Sequence, residues 1–171
     1  MNILELINKG SHKLKYNKII SHKLDSEILL SKVLQKKREE ILINLDKSIE
    51  LNKILEFEKL IERRSLKEPI AYILKEKEFW SKKFVIDKGI LIPRPETELM
   101  VEKLVKMFKS KKITLLDIGT GSGCILISLI SELNKSFGIG IDISKKALSA
   151  AKKNSLKHNV NDKIKLYNKS F

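Results

Sequence analysis

The 171-residue sequence predicts an α/β fold: a small N-terminal helical bundle, a β-hairpin connector and the first half of a doubly wound parallel sheet. Three observations predict it. Apolar residues recur every three or four positions through residues 1–66. Glu68-Pro69 then breaks that period, and short strand-like runs follow. From residue 113 onward, apolar strand patterns alternate with helical ones, and glycines punctuate the first crossover.

In the first region, Ile3, Leu6 and Ile7 begin one amphipathic stripe. Asp25 is placed to cap a second helix carrying Ile28, Leu29, Val33 and Leu34. Ile41 and Leu42 mark a short third segment, and Leu51, Ile54, Phe57 and Ile61 mark a longer helix over 48–64. Stripes of this kind are buried only against one another, so residues 1–66 form a bundle. Residues 67–92 form a linker. In it, Glu78-Phe79-Trp80 and Phe84-Val85-Ile86 flank Ser81-Lys82-Lys83 as a hairpin.

Residues 93–171 begin with Pro93-Arg94-Pro95. Pro93 holds Ile92 extended, and Pro95 suits the first position of a helix whose apolar face is Met100, Val101, Leu104, Val105 and Phe108. Arg94, fixed between two prolines, serves either a rigid helix entry or a ligand. A strand over 113–118, a helix over 124–133, a strand over 137–142, a helix over 145–158 capped by Ser144 and a strand over 164–167 complete a β-α-β-α-β run.

The composition limits the function classes. No apolar run is long enough to span a bilayer, and no signal peptide is evident at the N-terminus, so a cytoplasmic location and no membrane partner are expected. The net charge of +14 suits non-specific contact with a ribosome or RNA. It rests on lysine, however, with only Arg38, Arg63, Arg64 and Arg94 supplying planar guanidinium groups, and the lysines are scattered. Cys124, the single cysteine, has no partner for a disulfide or metal and reads as a buried structural thiol. His12, His22 and His158 share no ligand spacing, and no metal is expected.

The chemistry-bearing segment is Gly119-Thr120-Gly121-Ser122-Gly123, between a strand and a helix. Glycines there let backbone and ligand approach closely, and free N–H groups at the helix start face the ligand. A dinucleotide fingerprint needs its last glycine at position 124, where this sequence has Cys124. Asp142 ends the next strand, 23 residues after Gly119, where a carboxylate accepts hydrogen bonds from ribose hydroxyls. Asp117, just before the loop, holds the loop or faces a cofactor amino group. A nucleoside cofactor other than NAD follows.

Leu91 to Glu98 (LIPRPETE), LLDIGTGSG at 115–123 and GIDIS at 140–144 resemble the HemK/PrmC family of protein-glutamine N5-methyltransferases acting on peptide chain release factors. Asp25-Ser26-Glu27-Ile28-Leu29-Leu30, Arg63-Arg64 with Glu68-Pro69-Ile70-Ala71, and Glu78-Phe79-Trp80 match it in order. The resemblance implies release-factor docking by residues 1–66. It also implies an S-adenosyl-L-methionine-binding, class I (Rossmann-like) methyltransferase domain over 93–171, incomplete because it supplies three of the seven strands, and a monomer for the complete enzyme. Methyl transfer to the glutamine of a Gly-Gly-Gln motif, a step in translation termination, is the implied activity. Gly119, Thr120, Gly121, Ser122, Gly123 and Asp142 correspond to cofactor-binding positions. Phe171 falls where the family has an aromatic residue beside the adenine, with Phe in place of the usual Trp. Arg94 is the substrate-side candidate.

The family's catalytic Asn-Pro-Pro-Tyr motif does not occur in these residues, so no catalytic residue is assigned and negligible transfer is expected of this chain alone. A bare edge is expected on the first parallel strand. Two other readings stand beside this one: a nucleic-acid adenine N6-methyltransferase, and a non-catalytic module that binds release factors.

Overall fold

A computed structural model describes residues 1–170 as two compact units, Met1–Leu74 and Lys75 onward. The division cuts through the predicted linker: its apolar segment joins the helices, and its hairpin joins the sheet.

The first unit is helical: α1 (Ile3–Tyr16), α2 (His22–Leu34), α3 (Arg38–Leu42), α4 (Leu51–Ser65) and the short α5 (Ile70–Leu74). Asn2 starts α1 with a reciprocal cap. Its side chain accepts the Glu5 N–H and its own N–H donates to the Glu5 carboxylate, each at 2.9 Å. Leu6, Leu14, Leu29, Leu30, Ile41 and Phe57 meet in one core. Gly10 lets three elements close up: a Cβ there would lie 2.6 Å from Ser26 Oγ and 2.7 Å from Phe57 Cζ.

Asp25 does not cap α2. The helix begins three residues earlier, at His22, and Asp25 is buried in its first turn. Its carboxylate accepts from Arg64 Nε at 2.6 Å and from the Ser21 hydroxyl at 2.9 Å, which ties α2 to α4. Glu27, equally buried, accepts from Arg38 at 2.7 Å. A buried carboxylate needs such a partner, which gives the two acids of the Asp25–Glu27 motif a structural reason.

The second unit opens with an antiparallel hairpin, β1 (Glu76–Phe79) and β2 (Lys82–Val85). Its turn is tighter than the sequence suggested. Trp80 and Ser81 occupy it alone, with φ of 52° and 53°, as a two-residue turn between right-twisted strands requires. Trp80 is held there at both ends. Its N–H donates to Glu98 at 2.8 Å, and its indole N–H donates to Glu132 at 3.0 Å.

Next come α6 (Thr97–Phe108), β3 (Thr114–Ile118), α7 (Cys124–Glu132), β4 (Phe137–Asp142), α8 (Lys145–Lys157) and β5 (Ile164–Asn168). Pro95 and Glu96 form a turn before α6, so the helix starts two residues later than Pro95 implied. Of its predicted stripe only Val101 is fully buried. The sheet is parallel in the order β3-β4-β5, with Leu116 opposite Ile139 and Ile139 opposite Lys165. Among the described strands β3 pairs only with β4. That leaves its other edge unpaired among the described residues, as expected, and Leu116 and Ile118, 54% and 50% exposed, lie on one uncovered face of the strand. Packed against the sheet, α7 buries Leu126, Ile127, Leu129 and Ile130. Among the described residues no helix is long and apolar enough to cross a membrane, and no cluster of metal-ligating side chains occurs.

Candidate functional site

The glycine loop connects β3 to α7 at the carboxyl end of the sheet, where α/β folds bind ligands. Its start is pinned to the neighbouring strand: the N–H groups of Gly119 and Thr120 both donate to the Ile141 carbonyl, at 2.8 and 3.0 Å. Gly121 N–H donates to Asp142 Oδ2 at 2.9 Å, and Gly123 N–H closes a turn onto the Thr120 carbonyl. Gly121 and Gly123 have φ of 58° and 78°, a region that a side chain would disfavour.

The two side chains inside the loop turn inward. Thr120 and Ser122 are 5% and 2% exposed, which leaves backbone and glycines on the outer face. A Cβ built on Gly119 would meet no atom within 4 Å, so a flat ligand has room to approach there. This bare backbone suits a nucleoside cofactor.

Asp142 accepts a second N–H, from Ser144, at Oδ1 and 2.8 Å. Each carboxylate oxygen therefore has one backbone donor and keeps a further lone pair, enough to take two vicinal hydroxyls. Asn168 steadies the same corner by donating to the carbonyls of Asp142 and Ile143. Asp117 does the loop-holding job. It accepts the Thr120 hydroxyl at 2.7 Å and the Leu126 N–H in the first turn of α7. Burial raises its pKa above the usual carboxylate range, against the Thr120 hydrogen bond, with the nearby Asp142 charge adding to the rise.

Cys124 is buried beside the loop, and burial pushes its thiol up to about 11, which fits a packing role. Arg94 lies exposed between its prolines and forms no ion pair among the described residues. Phe171 lies outside the described residues. The structure therefore brings Asp117, the loop and Asp142 together, and leaves Arg94 in a separate segment before α6.

Three residues given no site role in the sequence reading complete the surroundings. Glu98 and Glu132 hold the hairpin tip, and Asn154 of α8 reaches the loop itself, donating to the Ser122 carbonyl at 2.9 Å. Asn154 had a signal: it interrupts a small-residue stripe of Ala147, Ala150 and Ala151 on the buried face of α8.

A family model of the PrmC N-terminal domain matches residues 5–74, and one described as a methyltransferase domain matches residues 109–171. A release factor glutamine methyltransferase from Buchnera aphidicola subsp. Acyrthosiphon pisum is 42% identical over 93% of this chain and 57% of its own length. One from Buchnera aphidicola subsp. Schizaphis graminum is 39% identical over 100% of this chain and 62% of its own. A bifunctional methyltransferase of Rickettsia typhi is 36% identical over 99% of this chain and 36% of its own. The chain thus spans between 36% and 62% of the length of these relatives. With both units matched in order, and relatives running along nearly all of the chain, residues 5–74 are identified as a PrmC N-terminal domain and residues 109–171 as methyltransferase-domain sequence, which supports the resemblance to the HemK/PrmC family.

Proposed function

We propose that the loop over Gly119–Gly123, with Asp142, binds S-adenosyl-L-methionine, and that the helical unit docks a peptide chain release factor whose Gly-Gly-Gln glutamine is the methyl acceptor. The observation that carries the reading is the bond between the Gly121 N–H and Asp142. It presents a side-chain-free backbone face and a half-satisfied carboxylate on one corner of the sheet, in a chain that also carries a PrmC N-terminal domain.

When bound, the cofactor supplies an electrophilic sulfonium methyl group. The roles proposed for this chain's own residues are binding ones. The loop backbone lies against the nucleoside, Asp142 orients the ribose hydroxyls, and Asp117 keeps the loop in shape through Thr120 and Leu126. The transfer step is assigned to none of the described residues.

Three experiments test the reading. Calorimetry with S-adenosylhomocysteine should show saturable binding that Asp142→Ala weakens severely. Immobilised chain should capture release factor with an intact Gly-Gly-Gln motif. Methyl transfer, assayed with the whole gene product and read by mass spectrometry, should add one methyl group to the glutamine. Labelling of adenine in DNA or RNA instead would overturn the substrate assignment.

A further inference from the structure

Asn154 is the buried polar side chain that the proposed chemistry leaves unused. It is 0% exposed on α8, among alanines. Its Oδ1 accepts the Val85 N–H at 2.7 Å. Its Nδ2 donates to the Val85 carbonyl at 3.1 Å and to the Ser122 carbonyl at 2.9 Å. One donor and two acceptors face the amide, so only one orientation of its oxygen and nitrogen satisfies all three. Two bonds therefore occupy the outer edge of β2, and the third seizes the loop between two left-handed glycines.

A loop with glycines at 119, 121 and 123 has many conformations open to it. Asp142 restrains it from β4, and Asn154 restrains it from the side of α8 and the hairpin. We propose that Asn154 is a positioning residue that locks the cofactor loop to strand β2, so that occupancy of the loop and order in the hairpin are energetically coupled. The proposal rests on the cofactor reading above. Linkage makes the coupling reciprocal: an ordered hairpin tightens cofactor binding, and bound cofactor protects the hairpin.

The test is Asn154→Asp. An ionised carboxylate still accepts from Val85 but donates to neither carbonyl, whereas a protonated one regains one donor. S-adenosylhomocysteine affinity is measured by calorimetry for both proteins at about pH 5.5 and about pH 8, which brackets a carboxyl raised by burial. The charged and titratable groups on the elements around Asn154 are His158, Lys153 and Lys146 on α8, Asp117, Cys124 and Asp142 at the loop, and Lys75, Lys83 and Asp87 beside the hairpin; the parallel wild-type titration cancels them. Of the two bonds lost on ionisation, one holds the loop, so the variant should bind about tenfold more weakly at the higher pH and recover at the lower. Wild-type affinity at the higher pH, or a loss independent of pH, overturns the proposal.

Amide exchange on the free proteins supplies a readout without cofactor. The variant should exchange faster at Gly121, Gly123 and Val85 together, and acceleration at Val85 alone overturns the coupling. If the wild type binds no S-adenosylhomocysteine, the cofactor reading fails while exchange in the free protein still decides the coupling. Should the variant not fold, wild-type exchange with and without S-adenosylhomocysteine decides: slowing at Val85 supports the coupling, and no change overturns it.

Discussion

Gly121 and Asp142 lie 21 residues apart in sequence and 2.9 Å apart in space, the glycine's N–H donating to the carboxylate. The same carboxylate takes the Ser144 N–H, so one side chain fixes both the loop and the approach to α8. Asp142→Ala should therefore lower cofactor affinity at least about 100-fold, by removing the ribose acceptor and loosening the loop. It should also cost about 1–3 kcal/mol of stability through the two orphaned N–H groups. Asp142→Asn keeps an acceptor and should fall between. Calorimetry and urea denaturation measure both effects.

Gly10→Ala should destabilise the helical unit by about 1–3 kcal/mol, the usual cost of overpacking. The added carbon would sit 2.9 Å from Ile61 Cδ1 and closer still to Ser26 and Phe57. Ser26 cannot yield easily, because its hydroxyl donates to the Ile7 carbonyl at 2.8 Å. The denaturation midpoint followed by far-UV circular dichroism reports the change.

Arg64→Ala should cost about 3 kcal/mol, because it leaves Asp25 buried with only Ser21 as a side-chain partner. Adding Asp25→Asn to that variant should restore part of the loss. A double-mutant cycle by chemical denaturation measures the recovery.

His158 gives the sheet unit a pH dependence. Its ring packs on Phe84 at 4.8 Å between centroids and bonds to the Lys83 carbonyl. Burial lowers its pKa, and the charges of Lys157 and Lys82 add to that, against the carbonyl bond. The folded state thus takes up its proton at lower pH than the unfolded state does. Stability present above about pH 6.5 is lost as pH falls through that value toward the lower folded one. Partial exposure limits the effect to a few tenths of a kcal/mol. Guanidinium midpoints at acidic and neutral pH should differ less for His158→Gln than for the wild type.

Much of this was legible in the sequence because it depends on local periodicity. Phe137–Asp142 and Lys145–Lys157 have their expected places, and Ser144 caps α8 by accepting the Ala147 N–H. The glycine spacing and Asp142 were legible for a similar reason, since a strand–loop–helix places them by connectivity alone. Long-range partnerships were not. Asp25 resembled a cap because the Arg64 that neutralises it lies 39 residues away. Trp80 resembled a strand residue because Glu98 and Glu132, which hold it in the turn, come from distant helices. Asn154 broke an alanine stripe in the sequence, but its partners Val85 and Ser122 lie 69 and 32 residues away, so its role was not legible there.

The hairpin turn has a spectroscopic consequence. Trp80 is the only tryptophan in the chain, and its indole is bonded within the sheet unit. Its emission therefore senses that unit's melting and is silent about the helical one, whereas ellipticity near 222 nm sums both. Comparing the two signals along one denaturation curve resolves whether the units unfold together or in succession, with no label added.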